Sequence, residues 1–261
     1  PLKGTLSLGQ VEIPFAQTEG LIQVSLSRRT EMSGMVGKSS AMREMFATIE
    51  RVAPTNIPVL VQGESGTGKE LVAQAIHERS SSDTEAPFIV FDCSAVQKEL
   101  LESELFGHEA GAFSCATDTR KGALELAENG TLFIDEIGEL APELQPKLLR
   151  ALDKGEFKPI GGNAVRTSNA RIIAATNLNL SQEVEVGNFR QDLYFRLAGL
   201  LIEIPPLRDH VEDIPVLVQH FLKEMGDKAL GVQIPYETME KLKSHSWPGN
   251  IRELKSTLER A

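Results

Sequence analysis

Short apolar runs alternate with helix-spaced apolar stripes from residue 34 to residue 206. Five runs read as strands: Val59–Gln62, 88–91, Thr131–Asp135, Arg171–Thr176 and 200–204. Most are apolar on both faces, as in a parallel sheet covered by helices on each side. Between them lie helical stretches such as 69–79, where Leu71, Val72, Ala75 and Ile76 share a face. The alternation predicts a doubly wound α/β unit around a five-stranded parallel sheet. After Pro205-Pro206 the strand pattern stops. Stretches 213–225, 236–245 and 250–261 are helical and predict a small helical unit over 207–261. Residues 1–33 differ again. Leu6, Leu8, Val11 and Ile13 are strand-like, and Ile22, Val24 and Leu26 alternate with polar residues. Two readings of this segment stand: the tail of a preceding domain plus a linker, or a floppy arm.

Composition narrows the function classes. The 261 residues carry 27 basic and 37 acidic side chains, a net charge of −10. That sign disfavours bulk binding to nucleic acid or an anionic membrane. Two cysteines, Cys93 and Cys115, give no disulfide framework and point to a reducing cytoplasm. No apolar run nears the roughly 18 residues of a membrane helix. The chain starts at Pro1 without Met and stops at Ala261 in mid-pattern, so a fragment of a longer protein is expected.

The sharpest chemical signal follows the first strand: Gly63, Glu64, Ser65, Gly66, Thr67, Gly68 and Lys69, then a helix. This is the phosphate-binding G-x-x-x-x-G-K in its strand–loop–helix setting. The glycines let successive N–H groups turn toward phosphate oxygens, and the helix N-terminus adds its positive end. Lys69 supplies a charge for the β- and γ-phosphates. Glu70 stands where Ser or Thr usually offers a hydroxyl to Mg²⁺, so the metal must be held by water and other groups. The third strand ends in Asp135-Glu136. There Asp135 would hold Mg²⁺ through water and Glu136 would polarise the attacking water. No Asn-Lys-x-Asp guanine signature occurs, which favours ATP. The histidines, His77, His108, His210, His220 and His245, show no metal-ligand spacing.

Residues 102–116, Glu-Ser-Glu-Leu-Phe-Gly-His-Glu-Ala-Gly-Ala-Phe-Ser-Cys-Ala, form an insertion with an apolar, glycine-flanked tip suited to touching a partner. This segment closely resembles the E-S-E-L-F-G-H-E-x-G-A-F-T-G-A stretch of bacterial enhancer-binding proteins, AAA+ ATPases that activate sigma-54 RNA polymerase. The resemblance runs from about Gly34 to Arg260. It implies an AAA+ P-loop fold over 34–206, a helical lid over 207–261, and 1–33 as linker or regulatory-domain tail. It also implies roles residue by residue. Gly111, Ala112, Phe113, Ser114, Cys115 and Ala116 would contact sigma-54, with 161–163 as a supporting loop. Thr176 and Asn177 match sensor I, and Arg190 and Arg196 match two arginine fingers. Arg252 matches sensor II, and Val36 lies in the stretch around adenine.

The implied protein is a bacterial, cytoplasmic ATPase ring, hexameric or heptameric, with a dimer as a possible inactive form. It would act on the sigma-54 RNA polymerase holoenzyme and touch DNA only through a missing C-terminal domain. Arg190 and Arg196 lie six residues apart, off a common helix face, which predicts different jobs. Trp247 is expected in the lid core. Two departures from the family pattern matter. Ser114-Cys115 replaces Thr-Gly at the loop tip, which leaves open a nucleotide-switched scaffold or repressor as the alternative function. Asp92 replaces the usual Asn and would repel Glu136 if the two are close and both ionised, predicting altered ATPase coupling or a raised pKa on one of that pair.

Overall fold

The computed structural model describes residues 3–8, 11–16, 26–80, 85–113, 116–226 and 231–260. The strands are β1 Lys3–Leu8, β2 Val11–Ala16, β3 Glu31–Met32, β4 Met35–Val36, β5 Val59–Gln62, β6 Phe88–Asp92, β7 Thr131–Asp135, β8 Glu156–Phe157, β9 Arg166–Thr167, β10 Arg171–Thr176 and β11 Leu200–Glu203. The helices are α1 Ser40–Val52, α2 Lys69–Ser80, α3 Lys98–Phe106, α4 Ala123–Leu126, α5 Gln145–Lys154, α6 Leu180–Glu185, α7 Gln191–Leu197, α8 Ile214–Glu224, α9 Tyr236–Ser244 and α10 Asn250–Arg260.

Five strands pair in parallel in the order β11-β5-β10-β7-β6. They are the five expected runs. The second extends one residue to Asp92, and the fifth ends one residue early, at Glu203. β5 and β10 are inner strands, and all six residues of β10 are buried. The outer strands have one open side, which leaves Val90 and Leu201 exposed.

Side-chain alternation sends the two faces of the sheet into two cores. Leu60, Leu132, Ile134, Ile172 and Ala174 pack with Leu101, Leu105, Leu148 and Leu193. Val59, Val61, Phe133, Ile173 and Ile202 pack with Phe46, Ile49, Val72 and Ile76 of α1 and α2. Helix α1 forms because Ser39 caps it, its side chain accepting from Met42 N–H at 3.2 Å, and because Met42, Met45, Phe46, Ile49 and Val52 line one stripe.

The helical unit has its own core of Leu207, Ile214, Leu217, Val218, Phe221, Trp247 and Leu254. Trp247 is buried there as expected, and its indole N–H donates to Leu242 O at 2.7 Å. Asp213, wholly buried, fastens this unit to the start of α1 by accepting from Lys38 N–H (2.7 Å) and Ser39 N–H (2.9 Å). Near the N-terminus, Leu6, Leu8, Val11 and Ile13 fall in an antiparallel β1–β2 hairpin. Ile22 and Val24 lie outside the described residues, and Leu26 is exposed.

Candidate active site

The C-terminal ends of β5, β7, β10 and β6 meet along one rim of the sheet, where open α/β sheets bind ligands. The loop 63–68 leaves β5 there, and α2 begins at Lys69. Gly66 and Gly68 adopt φ of +80° and +97°, which glycine alone reaches freely. A second constraint acts at Gly66: a Cβ would lie 2.3 Å from Gly249 O. Thr67 is buried and its hydroxyl donates to Glu64 O at 2.8 Å, whereas Glu70 points to solvent.

Lys69 is buried, and its Nζ lies 3.2 Å from Glu136 Oε1 and 3.2 Å from Gly63 O. The other carboxylate oxygen of Glu136 accepts from Asn177 N–H at 3.2 Å. Glu136 thus joins the phosphate loop to the end of β10. It does so from a left-handed backbone, φ 48° and ψ 48°, a strained conformation held by these contacts. Glu136 N–H donates to Asp135 Oδ1 at 3.0 Å. Burial pushes the Asp135 carboxyl above its ordinary value, with Glu136 and Asp92 adding to the rise while Glu136 N–H and Lys69 oppose it.

Asp92, at the end of β6, is engaged locally. Its Oδ1 accepts from Ser94 N–H (2.8 Å), the Ser94 hydroxyl (2.7 Å) and Ala95 N–H (3.3 Å). The local turn after β6 thus engages one oxygen of the carboxylate. Asp92 also pairs in register with Asp135, whose carboxyl is the raised one.

The lid closes over the loop from the other side. Arg252 N–H donates to Gly66 O at 3.2 Å, and its guanidinium donates to Ser65 Oγ at 3.0 Å. The Arg208 guanidinium grips Glu64 with bonds of 2.8 and 2.5 Å, and Asn250 Nδ2 adds a third at 3.1 Å. These donors, Arg208 first, hold the Glu64 carboxyl down to about 2. Sequence reasoning missed these contacts of Arg208 and Asn250. Between loop and lid lies a cavity of about 360 Å³ walled by Val36, Met42, Leu71, Leu217, Phe221 and Ile251.

Arg190 and Arg196 stand at opposite ends of α7 with different partners. Arg190, half-exposed, pairs with Asp192 at 3.0 and 2.7 Å. Arg196 reaches Asp153 (3.0 Å) and Leu152 O (2.8 Å) on α5.

Away from this rim, Phe113 is 37% exposed, with its ring edge-on to His108, centroids 5.0 Å apart. Gly111 N–H donates to Ala116 O at 2.7 Å, and Ala112 N–H to Glu109 O at 3.1 Å. The loop at 161–163 packs against this turn, since a Cβ on Gly161 would meet Ala112 Cβ at 2.8 Å. Ser114 and Cys115 lie outside the described residues.

Comparison with known proteins agrees with this arrangement. The Sigma-54 interaction domain family matches residues 35–203, and the AAA+ ATPase lid domain family matches 208–261. The Nif-specific regulatory protein of Azotobacter vinelandii is 51% identical over 228 residues, 87% of this chain and 44% of that protein. The transcriptional regulatory protein ZraR of Escherichia coli K12 is 49% identical over 254 residues, 96% of this chain and 57% of that protein. The chain therefore spans about half the length of the curated relatives it matches. The crystal structure of NtrX from Brucella abortus in complex with ATP superposes with a TM-score of 0.80 at 40% identity, covering 87% of this chain and 49% of that one. The chain belongs to the Sigma-54 interaction domain family of AAA+ proteins and carries that family's lid.

Proposed function

We propose that this chain hydrolyses ATP in a ring of like subunits and uses the turnover to remodel the sigma-54 RNA polymerase holoenzyme. We assign 34–206 to the ATPase subdomain, 207–261 to the lid, and 1–33 to a segment leading from a regulatory part. The carrying observation is the link Lys69–Glu136–Asn177, which joins the phosphate loop to the end of β10 on the sheet rim.

In this reading the N–H groups of residues 63–69 and the Lys69 charge receive the phosphates. Phosphate arriving at Lys69 competes for its ammonium and releases Glu136 to orient the attacking water. Asn177 and Arg252 report the γ-phosphate from the sheet and from the lid, and the base lies near Val36. Among the described residues no cluster of three or more potential metal ligands forms a cage. A site with Asp135, Glu136 and incoming phosphates suits Mg²⁺, which keeps its waters and takes one or two carboxylates. Asp135 would hold the ion, which neutralises developing phosphate charge when bound. Arg190 and Arg196 face solvent and are available to a neighbour's site, where arginine stabilises transferring phosphoryl groups. Exposed Phe113, with the rest of segment 111–116, would meet sigma-54. Such activators work in the bacterial cytoplasm. Among the described residues no helix is long and apolar enough to cross a membrane.

The test is ATP turnover per subunit across protein concentrations, with Arg190→Ala and Arg196→Ala as controls. A rate that rises with concentration and collapses in both variants supports shared sites in a ring. A concentration-independent rate untouched by either variant rejects them.

A further inference from the structure

A phosphate loop that turns its N–H groups inward must turn its carbonyl groups outward. Outward carbonyls without partners would be costly where the lid covers them. In this protein the lid supplies the partners. Ser65 O accepts from Asn250 Nδ2 at 3.0 Å, and Gly66 O accepts from Arg252 N–H at 3.2 Å.

Asn250 is the unusual member. It stands at the first residue of α10, one position after Gly249, whose carbonyl accepts the first bond of the helix from Glu253 N–H at 3.1 Å. Ser39 and Asn179, which immediately precede α1 and α6, turn their side chains back to N–H groups of their own helices. The Asn250 amide instead reaches residues far along the chain. Nδ2 donates to Ser65 O and to Glu64 Oε2, and Oδ1 accepts from Leu207 N–H at 2.9 Å. The side chain is wholly buried, and the backbone is left-handed at φ 52°, a conformation asparagine tolerates. Glu64 in turn is gripped by Arg208, next to Leu207 at the entry to the lid.

We propose that Asn250 is a positioning residue for nucleotide binding: its amide fixes the outward carbonyl of the phosphate loop and, through Glu64 and Arg208, ties the loop's shape to the angle of the lid. It touches no phosphate itself and acts through Ser65 and Glu64. The inference rests on the ATP-binding reading above. Removing the amide donor leaves the loop free to turn Ser65 O inward, where it would repel phosphate oxygens. Nucleotide affinity then falls while the catalytic groups Asp135 and Glu136 keep their places on β7 and its following turn.

Asn250→Asp is the sharp test. It preserves size, the acceptor for Leu207 N–H and tolerance of positive φ, but it cannot donate and it faces Glu64 with a second carboxylate. Binding of a fluorescent ADP analogue to the 261-residue chain is measured at neutral pH. The Kd is expected to rise about tenfold or more, with the KM for ATP moving by a similar factor and kcat by less than about threefold. Adding Glu64→Gln removes the repulsion and returns a donor to Asp at 250, recovering at least half of the lost affinity on a logarithmic scale. Glu64→Gln alone, at a half-exposed site, serves if Asn250→Asp does not fold; it is expected to weaken ADP a few-fold. A parent chain that binds ADP while both single variants bind it within twofold of the parent overturns the inference and spares the ATP reading. Equal losses in kcat and KM with no recovery in the double variant also overturn it. A parent chain that binds no adenine nucleotide overturns both.

Discussion

Gly66→Ala separates the cost of a left-handed backbone from the cost of a collision. At Gly66 both apply: φ is +80°, and the new Cβ would lie 2.3 Å from Gly249 O and 3.1 Å from Arg252 Cβ. At Gly111 only the first applies, because φ is +81° and nothing lies within 4 Å. The left-handed conformation costs an alanine about 1–2 kcal/mol. Overpacking adds about 1–3 kcal/mol at Gly66, since atoms in good contact sit roughly 3.5–4.0 Å apart and the lid backbone must retreat by about 1 Å. Gly66→Ala should therefore lose about 2–5 kcal/mol and Gly111→Ala about 1–2 kcal/mol. At roughly 2–4 °C per kcal/mol for a chain of this size, the extra cost of about 1–3 kcal/mol should make Gly66→Ala melt about 2–12 °C below Gly111→Ala. The retreat also breaks the Arg252 bonds to Gly66 O and Ser65 Oγ, so ADP affinity should fall only in the Gly66 variant. Matched melting curves and undiminished ADP binding in both variants would refute the account of lid docking.

Three further outcomes follow from the same geometry. Asp92→Asn keeps an acceptor for Ser94 and Ala95, so stability should change by less than about 0.5 kcal/mol. It removes a negative neighbour of Asp135, lowering that raised carboxyl, so the acid limb of the turnover–pH profile should move to lower pH; an unmoved limb contradicts the coupling. Burial alone would raise the Asp213 carboxyl, but hydrogen bonds from His210, Ser39 and Lys38 outweigh it and hold the carboxyl below its ordinary value. A folded-state value below the unfolded one means that this stabilisation is full above about pH 4 and fades as pH falls through the folded value. Urea unfolding from pH 6 downward should show the parent losing stability more steeply than Asp213→Asn, and parallel curves would exclude the role. Burial pushes the Cys93 thiol up to about 12, with Asp92, Asp135 and Glu136 adding to the shift. In a Cys115→Ser background, a disulfide reagent at pH 8 should label Cys93 only on addition of denaturant, and rapid native labelling would place that thiol elsewhere.

What the sequence disclosed was what local pattern controls. Inner strands such as β5 and β10 are buried on both faces and read as unbroken apolar runs, so their limits were legible to the residue. The phosphate loop and Asp135-Glu136 were legible because their chemistry needs fixed spacing at strand ends. The lid contacts were not, because Glu64–Arg208 and Ser65–Asn250 join residues 144 and 185 positions apart, and no periodicity encodes such pairs. The turn after β6 is written locally: Asp92 followed two residues later by Ser94 is a turn signal, and the Ser94 N–H and hydroxyl both bond Asp92 Oδ1.

The strand order has a consequence for the birth of the protein. Among the described residues β5, which carries the phosphate loop, pairs only with β10 and β11. Its first partner leaves the ribosome roughly 110 residues later, about 6–20 s at ordinary elongation rates. For that interval Val59, Leu60 and Val61 are an unpaired, fully apolar strand on a nascent chain. An inner strand of the finished sheet is thus a segment exposed to mispairing during synthesis, and slow codons placed after β5 would lengthen that exposure.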